Sequence, residues 1–545
     1  MKKYIPTLLA CLLVLSGCKQ GRQNGGRSGE AGKPNILFIL IDDLGWSDVG
    51  FNGGSFYDTP NIDRLAGQGM CFTQAYATCS VCSPTRASII TGKYPARLHL
   101  TDWLPGRKDY PFQKLKNAEI NQHLPYDIST LPGILKENGY QTAIFGKWHL
   151  GEDSASTQRQ GFDLHLPRWN KGWPNGTYFS PYHMEGLEGG PDGEYLTDRL
   201  TDETLKYIDE HKDGPFFIYL AHFAVHDPIM GRPDLVEKYS QKLQSGGGPG
   251  QGTPFILEGN PDSSDPMSRE ELDRLIGEGP YQGYSLLPQR TVKIKQQQDN
   301  TEFAAMVESV DQSVGRILGK LRELGLERNT IVVFFSDNGG MSAANFGNPT
   351  RKIKKSELDK AFSTSNLPLR GGKGWFYEGG IREPLIVKWP DHVKAGSVCD
   401  VPVISVDFLP TLLEMAGIPC DPDKLVLDGE SMVPLLAGKE PQEDRPIFWH
   451  FPHYSNHGQQ SPCGAVRQGN FKLIEYYENQ TVQLFNLVTD QREQHDLSDS
   501  LPGKADELRE LLHRWREDVN AQMMAPNPGF DLSMSWMDYA ERDKD

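Results

Sequence analysis

The stretch NILFILIDDLG (residues 35–45) runs six consecutive apolar residues, Ile36 to Ile41, directly into two aspartates, Asp42 and Asp43. A short, uninterrupted apolar run suits a strand buried on both faces of a parallel sheet, and ligands in such sheets bind beyond the carboxyl ends of the strands. The design recurs three times. YQTAIFGKWHLG (140–151) ends in Lys147 and His149, PFFIYLAHFAVHDP (215–228) in His222 and His226, and TIVVFFSDNGG (330–340) in Asp337 and Asn338. Between these runs, IDRLAGQGM (62–70), STLPGILKENG (129–139) and AAMVESVDQSVGRILGKLRELG (304–325) carry helical spacing of apolar residues, the last with Gly325 as a C-terminal cap. Alternating strands and helices predict an α/β sheet covered on both faces. Singly, each polar cluster has a plain reading: a helix cap for Asp42 and Asp43, a turn for SDNGG, a core histidine for His222. Four strands delivering acids, an amide, a lysine and histidines to one edge describe a site.

The chain has 545 residues, too many for one simple core, so a large domain with a smaller companion is expected. A formal net charge of −16 argues against a nucleic-acid partner and against a general anion-attracting surface. Anion handling must therefore be local. Lys2 and Lys3 precede an apolar run, Ile5 to Leu15, too short to span a bilayer and shaped like a secretory signal. It ends in LSGC, which resembles the lipobox of bacterial lipoproteins and implies that Cys18 is lipidated and becomes the mature N-terminus. Residues 1–17 are thus expected to be a signal peptide and 18–33 a polar, Gly-rich tether. The expected location is a membrane-anchored, exported one; the absence of an early acidic cluster after Cys18 points to the periplasm. Of eight cysteines, six lie beyond the export segment, and Cys79 and Cys82 form a CxxC without a second half, so no zinc spacing exists. An exported chain allows disulfides. The sequence assigns none.

CSPTRASIITG (82–92) combines a proline suited to the first position of a helix, Pro84, with a C-capping glycine, Gly92. Cys82 is therefore expected just before a helix, where free amides favour an anion, with Arg86 one turn inside. That cationic setting favours a working thiol over an inert one.

Cys82-Ser83-Pro84-Thr85-Arg86 followed by ASIITG resembles the signature of the formylglycine-dependent sulfatases of the alkaline-phosphatase superfamily. Cys79 lacks the proline and arginine at the required offsets. GKWHLG (146–151) and LRGGKGWFYEGGIREP (369–384) resemble further family motifs, and the similarity runs from about Pro34 through LFNLVTDQREQHDL (484–497). Thr85 stands where serine is commoner, and both carry a hydroxyl.

The resemblance implies that a maturation enzyme oxidises Cys82 to formylglycine, whose hydrate supplies the nucleophile. It also implies that Asp42, Asp43, Asp337 and Asn338 hold a metal ion. An all-oxygen set with three carboxylates independently suits Ca²⁺ rather than zinc. Arg86, Lys147 and Lys373 would surround the sulfate. His226, aided by Lys373, would be the general acid and His149 the base that expels sulfate from the sulfated enzyme. The fold expected is a large mixed, mostly parallel, alkaline-phosphatase-like sheet over residues 34–440. A smaller C-terminal α+β subdomain with an antiparallel sheet is expected over 441–545, GAVRQGNFKLIEYY and VQLFNLV supplying strands and GKADELRELLHRWREDVNAQ a closing helix.

The substrate is expected to be a sulfated glycan. LTDWLPGRKDYP (100–111) offers Asp102, Trp103 and Arg107, RWNKGWPNGTYF (168–179) offers Trp173, and FWHFPHYSNH (448–457) offers His450, His453 and His457. TDWLPG and FPHY look most like exported bacterial sulfatases of galactose-type sugars, which gives an expectation of 4-O-sulfated galactose or N-acetylgalactosamine. Residues 241–295 look like an insertion with a short helix at REELDRLIGEG and a loop, YQGYSLLPQR, over the pocket. Two other functions compete. A phosphodiester or phosphonate hydrolase of the superfamily commonly has Asp-His after the last metal-binding strand, whereas this chain has Asp337-Asn338. A non-catalytic glycan-binding lipoprotein would be expected to lack some of the cations or metal ligands, and none is missing.

Overall fold

The computed structural model describes residue 1 and residues 32–535, apart from 152–155, 189, 250–251, 283–286, 288–289, 346–361, 422–424 and 440–443. The signal-peptide and lipid-anchor readings fall almost wholly on 2–31, outside the described residues, as does most of the expected pocket-covering loop at 281–290. Residues Lys33–Asp545 pack as one compact unit. The division expected near residue 441 also falls outside the described residues.

The strands, numbered in chain order, are β1 (Asn35–Ile41), β2 (Met70–Tyr76), β3 (Leu115–Lys116), β4 (Gln141–Gly146), β5 (Leu164–Leu166), β6 (Phe216–Ala221), β7 (Phe255–Glu258), β8 (Val292–Lys295), β9 (Thr330–Ser336), β10 (Arg382–Lys388), β11 (Ser397–Cys399), β12 (Val403–Ile404), β13 (Ile447–Phe451), β14 (Cys463–Gln468), β15 (Phe471–Tyr476), β16 (Val482–Asn486) and β17 (Ala525–Pro526). The main sheet runs β11-β2-β10-β9-β1-β6-β4-β5, with β12 also on β2. Its centre, β9-β1-β6-β4, is parallel, and β10 is antiparallel to both its neighbours.

Strand alternation sends successive side chains of β1 into two separate cores. Leu37, Ile39 and Ile41 join the helices Pro60–Ala66, Leu196–Glu210 and Thr301–Glu323. Ile36, Phe38 and Leu40 join Cys82–Thr91, Leu131–Glu137 and Phe408–Met415 on the other face. This doubly covered sheet explains why its strands are apolar throughout rather than alternating. The long helix closes with Gly325 in the left-handed region, φ +70°, as its sequence position predicts.

The second sheet, β13-β14-β15-β16, is antiparallel throughout and packs against the helix Pro502–Asp518 through Ala505, Leu508 and Leu512. Its core continues into Tyr76, Cys79, Val81 and Trp375, next to the helix Cys82–Thr91. Beyond that helix the chain returns to the larger part, where β17 pairs with β3. In the insertion, β7 pairs with β8 and the short helix is Arg269–Leu275. Among the described residues all six cysteines are free thiols.

Candidate active site

The backbone ladder continues past the strand ends and fixes the residues just beyond them. Asp42 N–H donates to Ala224 O (3.0 Å), Lys147 N–H to Ala221 O (2.7 Å) and Asp337 N–H to Ile41 O (3.1 Å). Gly146, φ +109°, makes this possible: a Cβ there would lie 1.9 Å from Ala221 O. Asp42, Asp43, Lys147, His149, His226, Asp337 and Asn338 thus come together, all buried. Lys373, from the loop before β10, completes the group.

The helix that carries Cys82 spans Cys82–Thr91 with Val81 as N-cap, so Cys82 is its first residue and Pro84 its third. This corrects the expected start. Proline is tolerated throughout the first turn, because no amide there has an intrahelical partner. Gly92 caps the other end at φ +65°. Arg86 is anchored in the site: Nε donates to Asp337 Oδ2 at 2.9 Å and Nη1 to Lys147 O at 2.9 Å, while Nη2 lies 2.8 Å from Asp337 Oδ2 but is buried without a hydrogen bond of its own.

Two flanks differ in protonation. His149 Nε2 lies 2.8 Å from Leu104 O, a pure acceptor, so Nε2 carries the hydrogen and Nδ1 presents a lone pair 3.3 Å from Cys82 Sγ. Burial, then the charge of Lys147, holds its pKa well below the ordinary value. His226 is the opposite. Its Nδ1 donates to the backbone carbonyl Asp227 O (2.8 Å) and also lies 2.8 Å from Asp227 Oδ1, and Nε2 stands 3.8 Å from Asp43 Oδ2. Burial and Lys373 oppose its charging, but Asp43, Asp227 and Asp42 outweigh them and raise its pKa to about 9. One flank therefore offers a base and the other an acid.

The carboxylates are clamped by cations yet leave donors over. Lys147 Nζ meets Asp42 Oδ2 at 2.6 Å and Lys373 Nζ meets Asp43 Oδ2 at 2.7 Å. Asn338 Nδ2 donates to Asp43 Oδ1 at 2.8 Å, which turns its own Oδ1 inward. Asp42 Oδ1 and Asn338 Oδ1 are both buried without a hydrogen-bond partner. Burial and the charge of Asp337 push the Asp42 pKa up to about 8, a sign of uncompensated negative density. Convergent, orphaned oxygens of this kind fit a hard cation. Asp42, Asp43 and His226 offer atoms within 4.8 Å of one another, as do Asp42, Cys82 and Asp337.

The expected substrate residues divide. Asp102 is buried and accepts from Trp103 N–H (2.8 Å) and Arg107 N–H (3.2 Å), so its carboxylate ties the loop that gives His149 its partner, Leu104 O. Trp103 packs partly buried against the second-sheet core. Arg107 donates from Nε to Asn456 Oδ1 and lies over Tyr110. Trp173 is 40% exposed, and its neighbour Gly172 lies against the His149 ring, where a Cβ would sit 2.4 Å from Cε1. His450 is a correction. Both its ring nitrogens are bonded at 2.8 Å, to Tyr477 Oη and Gln522 O, which leaves none for a sugar. His453 is buried with Nε2 on Thr101 Oγ1 at 2.8 Å. His222 turns away from the cluster to Ser313 Oγ. Asp227 went unsingled in the sequence, although an acid adjoining a candidate histidine was the signal.

The family model described as "Sulfatase" matches residues 34–418. The chain belongs to the sulfatase family. A second model, "N-sulphoglucosamine sulphohydrolase, C-terminal", matches residues 372–522. A "Sulfatase" of Formosa agariphila is 30% identical, covering 96% of this chain and 95% of its own length. The mouse "N-acetylgalactosamine-6-sulfatase" is 33% identical over 76% of this chain and 68% of its own. Among solved structures, Ps i-CgsB in complex with k-i-k-neocarrahexaose is 28% identical, with a TM-score of 0.67, covering 89% of this chain and 93% of that one. The protein is thus a sulfatase, a sulfuric ester hydrolase with the alkaline-phosphatase-like fold. Its family is generally dependent on formylglycine and Ca²⁺.

Proposed function

We propose that this sulfatase hydrolyses a sulfate ester on a galactose-type sugar, with Cys82 as the precursor of its nucleophile. The observation that carries the reading is the 3.3 Å contact between Cys82 Sγ and the bare Nδ1 of His149, inside a ring of Arg86, Lys147 and Lys373. Oxidised to formylglycine by a maturation enzyme and hydrated by water, position 82 presents two hydroxyls on one carbon, one of which attacks sulfur and forms the new S–O bond as the bond to the sugar oxygen breaks. The residues fit Ca²⁺, with Asp42, Asp43, Asp337 and Asn338 as its ligands; the ion supplies charge neutralisation at the sulfate oxygens.

The chain's own residues do the rest. Arg86, Lys147 and Lys373 bind and orient the sulfate group, offsetting its charge in a net-acidic protein. His226 gives the Nε2 proton to the sugar oxygen as the S–O bond breaks, with Asp227 holding Nδ1 and so fixing the ring. His149 takes at Nδ1 the proton of the second hydroxyl at position 82, so that the carbon–oxygen bond to sulfate breaks, sulfate leaves and the aldehyde re-forms, and Leu104 O holds Nε2–H so that no other nitrogen competes. The loop tied by Asp102 keeps that carbonyl in place.

The mouse relative is named for the 6-sulfate of N-acetylgalactosamine and the structural relative is seen with a neocarrahexaose, which together support a galactose-type ring. The 4-O ester remains our finer assignment, from TDWLPG and FPHY. Matured protein with Ca²⁺ is incubated with 4-O- and 6-O-sulfated galactose, N-acetylgalactosamine and N-acetylglucosamine and with a phosphodiester. Sulfate release from the 4-O galactose-type esters is expected; preference for a 6-O ester overturns the regiochemistry, and phosphate release alone overturns the reaction. Cys82→Ala should lower sulfate release by at least about 10³-fold while Ca²⁺ still raises its thermal midpoint. Activity retained by that variant removes Cys82 from the nucleophile's role.

We further infer that Cys18 carries a lipid anchor and that the enzyme faces the periplasm. The motif LSGC after an apolar run supports this. Cys18→Ser should move the protein from the membrane fraction to the soluble fraction; unchanged partitioning disproves the anchor.

A further inference from the structure

Of the three histidines in FWHFPHYSNH, the one without ring partners is His457. It is buried, and neither Nδ1 nor Nε2 has a hydrogen-bond partner. A buried polar atom left unpaired costs about 1–3 kcal/mol, so two on one ring call for an explanation. Poor anchoring is not the explanation. The backbone of His457 is held on several sides: its N–H donates to Ser455 Oγ at 3.1 Å, its carbonyl accepts from the same hydroxyl at 2.8 Å, and it bridges to Asn345.

The segment is also pressed against the loop that carries Lys373. A Cβ on Gly374 would lie 2.5 Å from Ser455 Oγ and 2.6 Å from His457 Cβ, and one on Gly458 would lie 1.6 Å from Trp375 Nε1. Glycines at both positions let two backbones meet where side chains would hold them apart. The backbone and Cβ of His457 are therefore fixed in place, while the polar atoms of its buried ring are unsatisfied.

Its surroundings define which side of the active site it faces. The charges His457 feels are those of Lys373, Asp43, Asp227 and His226. These belong to the acid flank, where the leaving oxygen must be protonated. Resting on the sulfatase reading, we propose that His457 is a specificity-determining residue that binds a free hydroxyl of the leaving sugar, one ring nitrogen donating and the other standing ready to accept.

The chemistry matches a hydroxyl better than an anion. Burial first, then Lys373, holds the ring's pKa at about 3, so it is neutral in the working range. A neutral imidazole offers one donor and one acceptor, and so does a sugar hydroxyl. An anion would ask for donors alone, which the lysines and Arg86 already provide. The residue lies in the C-terminal part of the chain, in the loop between β13 and β14, so the loop joining two strands of the second sheet contributes to substrate choice in the first sheet's site.

The test pairs the protein with the substrate. Wild type, His457→Ala and His457→Gln are assayed with Ca²⁺ on the best sulfated sugar from the panel and on its monodeoxy analogues. In the wild type, one deoxy analogue should lose at least about tenfold in kcat/KM, because a site built to bond a hydroxyl rejects the analogue lacking it. In His457→Ala that discrimination should fall to about twofold or less, with His457→Gln, which keeps a donor and an acceptor, in between. A merely structural role would lower every rate and leave the deoxy ratios alone. Unchanged ratios in both variants, with thermal midpoints retained, overturn the assignment. Absence of sulfate release by the wild type overturns the sulfatase reading and this assignment with it.

Discussion

His149 shows how closely one residue's function depends on its neighbours. Its backbone adopts φ +58°, unusual for a side-chain-bearing residue, and its ring is gripped between Leu104 O, Cys82 Sγ and the backbone of Gly172. Gly172 is the least replaceable of these by size. A methyl group at 172 would lie 2.4 Å from His149 Cε1, so either the ring or the 171–173 segment must shift. Overpacking of this kind costs about 1–3 kcal/mol, and a displacement of about 1 Å at a reacting group costs up to about 10²-fold in rate. Gly172→Ala should therefore lower kcat by at least about tenfold with KM nearly unchanged and the thermal midpoint reduced. Steady-state kinetics on the best sulfated sugar decide it; a variant with wild-type kcat would show that the ring does not need its present position. The same reasoning separates His450 from His457, two histidines of one decapeptide. Residue type is identical, and only the partners differ.

The strands of the central sheet were legible because burial on both faces writes itself into composition. β1, β4, β6 and β9 are the four apolar runs, and the polar residues that terminate each of them form the cluster. Here local sequence and tertiary placement agree, since a parallel strand can end in only one layer. The helix start was less legible. Val81 caps the nucleophile helix with extended backbone and no side-chain bond, so no serine, threonine or aspartate marks the boundary, and Pro84 draws the expectation two residues too late. Loops were least legible. The segment 452–460 has no hydrophobic period, and what distinguishes its histidines is set by residues far away in sequence: Thr101 for His453 and Lys373 for His457, as it is by Gln522 for His450 at the end of β13. Asp227 is a middle case. It adjoins His226 in sequence, but its use as the partner of Nδ1 depends on the turn that brings the carboxylate back onto the ring.

At the scale of the whole molecule, the two cores and the second sheet bury histidines that take no part in the proposed chemistry. His165 bonds Gly146 O, His222 bonds Ser313, His450 bonds Tyr477 and Gln522 O, and His453 bonds Thr101. Burial depresses all four below the ordinary 6.5, to about 4 for His165 and His450 and about 3 for His222 and His453. That depression sets the direction of the stability change. Above pH 6.5 these rings are neutral in both the folded and the unfolded chain and contribute no dependence on pH. Between 6.5 and about 4 the unfolded chain binds protons that the folded chain refuses, so stability falls as pH falls, at up to about 1.4 kcal/mol per pH unit for each group. With Ca²⁺ saturating, so that the carboxylate site stays occupied, the urea midpoint should be clearly lower at pH 5 than at pH 7. Replacing His222 or His453 by glutamine, which stays neutral, should remove part of that decline even where it lowers stability at pH 7. Equal midpoints at pH 5 and pH 7.5 would mean that the fold admits protons to these rings without cost, contrary to their burial. The acid limit of this enzyme is therefore expected to be set by its scaffold as well as by its active site.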